Sequence, residues 1–348
     1  MGRKNKRYSK KLKEQIYDIL TSMLHAGEGT SKKKAILDGT DKEKIFSYST
    51  YDTYSQHCKC FASYIMDKHP ECMTLKAAKK YVNEWLQSRV EYIKPDGTHL
   101  SAWTIQTEAK ALGKLYGIRP DDPDYFKAPK RKRQEIKRSR QDVKTDRHFS
   151  VTNNDEFIKF FRGVGCRRAI AKRLKGSNYF TREAMCKEIK CMENVSYLSE
   201  AEHKKLRAMK EAVEMFPDQE HFIYHHLDKG GRDRVAPIIG KNKNQIIERM
   251  ISVGADEKVW KHVPKNADIH GYRGEYASEM YKIYARPIEQ IPYDKINRGT
   301  GKKYQSGVYV CRKDESGKRL DKEAMLKVSK ALGHNRLEVV ANNYLRGL

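Results

Sequence analysis

Apolar side chains recur every three to four residues in four stretches of the first third of this chain. Near 8–25, 50–68, 74–92 and 101–117 that spacing predicts four helices. Tyr54, Cys58, Phe61, Ala62 and Ile65 share one face of the second, and Leu75, Ala78, Tyr81, Val82 and Trp85 share one face of the third. Ser101 is placed to cap the fourth, and Pro95-Asp96-Gly97 marks a turn before it. Residues 26–48 are polar and predict a loop. From 119 onward the periodicity disappears: Pro120, Pro123 and Pro129 precede basic runs at 130–133 and 137–140. That composition suits an inter-domain linker lying along a polyanion. Beyond it, Thr152-Asn153-Asn154-Asp155 ahead of Phe157, Ile158, Phe160 and Phe161 forms a capping-box-like helix start.

Further helices are expected around 167–174, 182–191, 198–214 and 270–284. Residues 221–227 and 235–239 read as short strands around a glycine-containing turn at 228–234. A second hairpin is expected over 306–320, with 309–312 as one strand and Glu315-Ser316-Gly317 at its turn. A last helix begins near Asp321 and ends at Gly333, a glycine of the helix-terminating kind. The expected fold is mainly α with small β-hairpins. It comprises a basic N-terminal extension over 1–44 (a helix, then a loop), a helical domain over 45–118, a basic linker over 119–147 and an α+β domain over 148–348.

Charge changes this picture most. Of 348 residues 33% are charged, and the formal net charge is +26. Such an excess repels itself unless a polyanion neutralises it, and nucleic acid is the partner that fits. An anionic membrane surface would call for an amphipathic anchor or a lipidation signal, and neither is visible. No apolar run is long enough to span a bilayer, and no apolar stretch follows the basic start at Arg3, Lys4, Lys6 and Arg7. The expected location is cytoplasmic, on the nucleoid. Seven scattered cysteines suit a reducing compartment. His57, Cys58 and Cys60, like Cys186 and Cys191, lack the second half of a paired zinc knuckle, so no metal is expected. Gly299-Thr300-Gly301-Lys302 lacks the spacing of a phosphate-binding loop, so no nucleotide cofactor is expected either.

The candidate chemistry is an ordered set of cations, a proton carrier and a nucleophile. Arg167 follows Gly163-Val164-Gly165-Cys166. Of the adjacent pair Arg167 and Arg168, only one can face inward, and Arg168 is left for the surface or the DNA backbone. Lys229 sits in the 228–234 turn, where a lysine can reach a departing oxygen. His270 and Arg273, three apart, leave one helix face, and a guanidinium there can grip a phosphate through two parallel N–H bonds. His334 follows Gly333 at a helix end, ten residues before Tyr344. A phenol is a poor nucleophile at neutral pH until cations stabilise its oxyanion. Taken singly, each has an ordinary structural reading: one of 21 tyrosines, a packing histidine, a solvated helix face, a basic turn.

Taken in order they are less ordinary. An arginine at a Gly-x-Arg helix start, a lysine in a hairpin of Gly-Lys-Gly character, His-x-x-Arg, then Leu-Gly-His and a tyrosine resemble the tyrosine recombinase (phage integrase) family over 148–348. The helical region 45–118 resembles that family's core-binding domain. The resemblance implies site-specific DNA recombination through a 3′-phosphotyrosyl intermediate, without metal or ATP. Tyr344 would be the nucleophile, Arg167, Arg273 and His334 would hold the phosphate oxygens, Lys229 would protonate the leaving 5′-oxygen, and His270 would assist the tyrosine's proton loss. The implied partners are double-stranded recombination sites and three further copies of the chain, as monomers in solution that form a homotetramer on DNA, with room for an accessory DNA-bending factor. The extended N-terminal region, an apparent insertion at 176–215 and the short tail after Tyr344 suit a mobile-element integrase. Departures from the pattern are Ile170 where many members carry an acid, a His334–Tyr344 spacing one residue longer than the commonest, and that tail, which leaves any exchange between subunits to another contact. A type IB topoisomerase and a non-catalytic basic DNA-binding protein are the rival readings.

Overall fold

A computed structural model describes residues 11–29, 32–130, 149–228, 231–291, 307–312, 315–345 and 348. The described residues are mainly helical with two small antiparallel sheets, and the chain divides into two compact units, Met1–Ile136 and Lys137–Leu348.

In the first unit the helices are α1 (Leu12–Ser22), α2 (Lys32–Leu37), α3 (Tyr48–Lys68), α4 (Leu75–Ala78), α5 (Val82–Glu91) and α6 (Ala102–Tyr116). Side-chain caps start three of them: Ser47 accepts from the Thr50 amide, Thr74 from Ala77 and Ser101 from Thr104. Gly117 ends α6 in a left-handed conformation, φ +67°. Leu12, Ile16 and Leu20, four residues apart on α1, enter the same core as Phe61, Ile65, Trp85 and Leu112. The helix of the basic extension is therefore built into this unit. The stretch expected as a loop over 26–48 holds α2 and a 3-10 turn at Asp41–Glu43. Downstream of α6, Tyr125 and Phe126 pack against the core, so the proline-rich segment up to Lys130 lies on the unit. The basic runs beyond it, at 131–148, lie outside the described residues.

The second unit runs α7 (Asp155–Val164), α8 (Arg168–Ala171), β1 (Tyr179–Thr181), α9 (Arg182–Glu193), α10 (Glu200–Met215), β2 (His221–Asp228), β3 (Arg232–Pro237), α11 (Lys243–Ile251), α12 (Ile269–Tyr284), β4 (Val308–Val310), β5 (Arg319–Asp321), α13 (Lys322–Ala331) and α14 (Leu337–Asn343). The strands order as β1-β2-β3 and β4-β5, all antiparallel. In the first sheet Tyr224 faces Val235 and His225 faces Arg234, and the register slips between His225 and Asp228. The helix expected over 167–174 is a single turn, because Leu174 turns its carbonyl to the Val259 amide at 2.9 Å and leaves the helix ladder. Strand β1 and helices α11 and α14 were not expected; they are short, and their apolar residues form no long periodic stripe.

Helix α12 lies between two cores. Tyr272 joins one with Phe157, Phe160, Phe161 and Ile246, while Tyr276, Ala277 and Met280 join the other with Phe222, Met325, Val328 and Val340. A residue on α12 between those two faces is held in the interior, and Arg273 occupies that place. No described helix is long and apolar enough to cross a membrane.

Candidate active site

Arg273 is 1% exposed, an unusual position for a guanidinium. Its two terminal nitrogens donate to the carbonyls of Gly165 and Leu332, and its Nε donates to the Tyr344 phenol oxygen at 3.3 Å. Burial, reinforced by Arg234 and Arg167, draws its pKa down to about 10, so it remains a cation at neutral pH. Each terminal nitrogen carries a second N–H beyond the one its carbonyl takes.

Both carbonyls come from glycine-assisted helix ends. Gly165 closes α7 at φ +57°, and a Cβ there would overlap the Tyr276 ring. Gly333 reverses the chain after α13 at φ +65°, and a Cβ there would lie 2.8 Å from Arg234 Cδ. That reversal turns His334 back toward the helix. Its amide donates to the Ser329 carbonyl at 2.7 Å, and the Ser329 hydroxyl donates to the His334 carbonyl at 2.8 Å. His334 Nε2 then stands 3.2 Å from the Tyr344 oxygen. Burial, then Arg273, Arg167 and Arg234, pull the His334 pKa down to about 4, so the ring is neutral at pH 7.

Tyr344 caps the C-terminus of α14, its amide bonded to the Val340 carbonyl at 2.9 Å, and it is 4% exposed. The helix is anchored by Val340 and Ala341, with Leu345 following into the same core. His270, in the first turn of α12, presents its ring edge-on to the Tyr344 ring with centroids 5.8 Å apart. Asp268 caps that turn by accepting from the Gly271 amide at 2.9 Å. Four of the six sequence-derived residues thus meet around one phenol: Arg273, His334, His270 and Tyr344 itself.

Arg167 lies in an adjoining cluster. Its Nη1 pairs with Asp228 Oδ2 at 2.5 Å, and Arg234 Nε donates to the same oxygen at 2.9 Å. Arg234 also donates to the Gly165 and Ala331 carbonyls, so Gly165 joins this cluster to Arg273. Burial alone would raise the Asp228 pKa, but the Arg234 and Arg167 guanidiniums outweigh it and hold the carboxyl well below the usual range. Arg234 further donates to His225 Nδ1 at 3.1 Å, which places the imidazole proton on Nε2. That Nε2 is buried and has no partner among the described residues. Burial, then the Arg234 charge, hold His225 neutral.

Arg168 differs from its expectation. It is half-buried, and its guanidinium donates to the Pro264 and Ala267 carbonyls, fixing the loop that leads into α12. Ile170 is buried among apolar residues, and the carboxylate that pairs with Arg167 is Asp228. Lys229 lies outside the described residues. The Gly231 amide donates to the Asp228 carbonyl at 2.8 Å.

Asp228, Arg234 and His225 were not found from the sequence. Asp and Arg at the ends of a glycine-rich turn read as ordinary turn residues. The pairing of 225 with 234 follows only once the strand register is known. The usable signal was indirect: an arginine site with no acid at 170 needs one from another stretch.

A cavity of about 420 Å³ opens beside the cluster, lined by Arg167, Asp228, Arg234 and His334 together with side chains of α10. Preorganised N–H donors around a phenol suit an anion whose charge grows during reaction. Among the described residues no three His, Cys, Asp or Glu converge as a metal site would require. No family model matches the chain, and no curated protein matches it.

Proposed function

We propose that this chain cuts and rejoins duplex DNA by site-specific recombination, with Tyr344 as nucleophile and no metal or nucleotide. The observation that carries the reading is the Tyr344 oxygen, held at 3.3 Å from Arg273 Nε and 3.2 Å from His334 Nε2 by residues 71 and 10 positions away in the same chain. A structural tyrosine needs one partner; this one faces a buried cation and a neutral imidazole.

In the proposed reaction a scissile phosphate enters beside Arg273 and takes over its bond to the phenol. The Tyr344 oxygen attacks phosphorus and its proton passes to His270. The bond from phosphorus to the 5′-oxygen breaks as Lys229 delivers a proton to that oxygen. The products are a 3′-phosphotyrosine and a free 5′-hydroxyl, and attack by a 5′-hydroxyl from a partner strand reverses the step. Arg167, Arg273 and neutral His334, donating through Nε2–H, stabilise the non-bridging oxygens, each such donor being worth roughly 3–4 kcal/mol in comparable sites. The covalent link retains the phosphodiester energy, so no nucleotide is consumed.

The unit Lys137–Leu348 would then be the catalytic domain and the helical unit before it a core-binding domain. Strand exchange between two duplexes requires four protomers on DNA. Mobile-element integration or excision is the biological setting this suits, on the nucleoid.

Nicked duplexes tiling the DNA around the gene test the reading. Cleavage near the nick frees a short strand, traps the covalent adduct and shifts the protein on a denaturing gel. Tyr344→Phe should abolish the shift and keep DNA binding. Relaxation of supercoiled plasmids that carry no such site would favour a topoisomerase instead.

A further inference from the structure

The cavity beside the arginine cluster extends away from the Tyr344 phenol toward α10. Among the described residues six cationic side chains and three carboxylates line it, and Ala208 is the one apolar side chain. Among the described residues no Phe, Tyr or Trp lines it and His334 is its one ring, so a base finds little there to stack on, whereas a phosphate finds cations on several sides. Most of those cations are already paired: Lys204 with Glu200, Lys330 with Glu211, and Arg167 and Arg234 with Asp228. Arg232 and Arg207 are exposed and have no carboxylate in ion-pair range among the described residues, and Arg207 is the one of the two on a helix. Its helix is firmly mounted: Ser199 and Glu202 form a reciprocal cap at its start, and Ala208, Met209 and Ala212 are buried in the core.

We propose that this cavity is a second anion subsite, which holds a backbone phosphate neighbouring the scissile one, with Arg207 as its main ligand. The proposal rests on the DNA-cleaving reading and extends it, because Arg167 and His334 line the cavity and also border the reacting centre. It gives the stretch 176–215 a role: α10 is the helix that carries the cation. Contacts of this kind position the duplex and carry no sequence information.

Binding of short duplexes of two unrelated sequences, followed by fluorescence anisotropy across a salt series, tests it. The full chain is compared with Arg207→Ala and with Lys187→Ala, an exposed cation on α9 outside the cavity. Arg207→Ala should weaken binding to both sequences by the same factor and make the slope of log K against log salt shallower by about 1. Lys187→Ala should leave both unchanged. On a duplex that forms the adduct, a single neutral methylphosphonate next to the cleaved bond should weaken the wild type and leave the Arg207→Ala protein indifferent. Equal behaviour of the two variants, a loss confined to one sequence, or an undiminished methylphosphonate effect in Arg207→Ala would overturn the subsite alone. Failure of the wild type to bind either duplex would overturn it together with the DNA reading.

Discussion

Asp228→Asn removes the one charge that joins two arginines. The carboxylate is nearly inaccessible and receives Arg167 at 2.5 Å and Arg234 at 2.9 Å, and Arg234 shares the Gly165 carbonyl with Arg273. The substitution keeps shape and one acceptor oxygen but leaves the buried Arg234 without its counter-ion. Breaking a buried pair in this way costs about 3–5 kcal/mol. Partial exposure of Arg167 and the retained hydrogen bond bring the expected loss to roughly 2–4 kcal/mol. With two units a single melting temperature is ill-defined, so hydrogen exchange resolved by peptide is the suitable assay. Protection should fall over 221–237 and 269–284 and stay unchanged in α3 and α6. The pH dependence has a definite sign. The folded pKa of Asp228 lies below its unfolded value of about 3.9, so on acidification the unfolded chain binds the proton first. The contribution is complete above about pH 4 and is lost as pH falls through the folded value, so wild type and variant should converge in acid. Equal protection at neutral pH, or a gap that persists in acid, would show that Asp228 does not hold this cluster together.

Three other perturbations bear on the same framework. Gly165→Ala must adopt φ +57° and overlap Tyr276, at about 1–2 kcal/mol for the backbone and about 1–3 kcal/mol for overpacking; a loss under about 1 kcal/mol in chemical denaturation would refute this packing. The His334 ring should titrate by NMR with a midpoint of about 4, and below about pH 6.5 its unfolded form takes the proton first, so stability should decline from there down to the folded midpoint. A midpoint near 6.5 would place the ring in water. Arg273→Lys keeps the charge but cannot reach two carbonyls and the phenol together, so a loss of roughly 2–4 kcal/mol is expected in the stability of the second unit, and an unchanged value would contradict the described bonding.

The elements legible in the sequence were those whose apolar residues form one long stripe. Cys58, Phe61, Ala62 and Ile65 located α3, and Ser101 and Gly117 bracket α6 with a cap at each end. Helix α14 was missed because seven residues with two buried side chains make no stripe. His270, Arg273, His334 and Tyr344 were singled out by the order of short motifs that resembles a family's, and they come together because each sits at or near a helix end. The Arg167–Asp228–Arg234 cluster depends instead on how a hairpin with a slipped register docks on the end of α7. A register slip decides which side chains point inward, and nothing local in 221–237 specifies it. The choice between Arg167 and Arg168 was open for a similar reason: their directions diverge only because Gly165 ends α7 immediately before them and Arg168 is drawn to the loop before α12.

The most direct measurement is the chemical identity of a DNA-bound residue. Protein trapped on a nicked duplex from the DNA beside its gene would be digested with protease and nuclease, and the modified peptide sequenced by mass spectrometry. The expected result is a nucleotide joined through its 3′-phosphate to the Tyr344 oxygen, with a 5′-hydroxyl on the released strand. A nucleotide on any other residue, a 5′-phosphate on the released strand, or tight binding without an adduct on every duplex from that DNA would contradict the account.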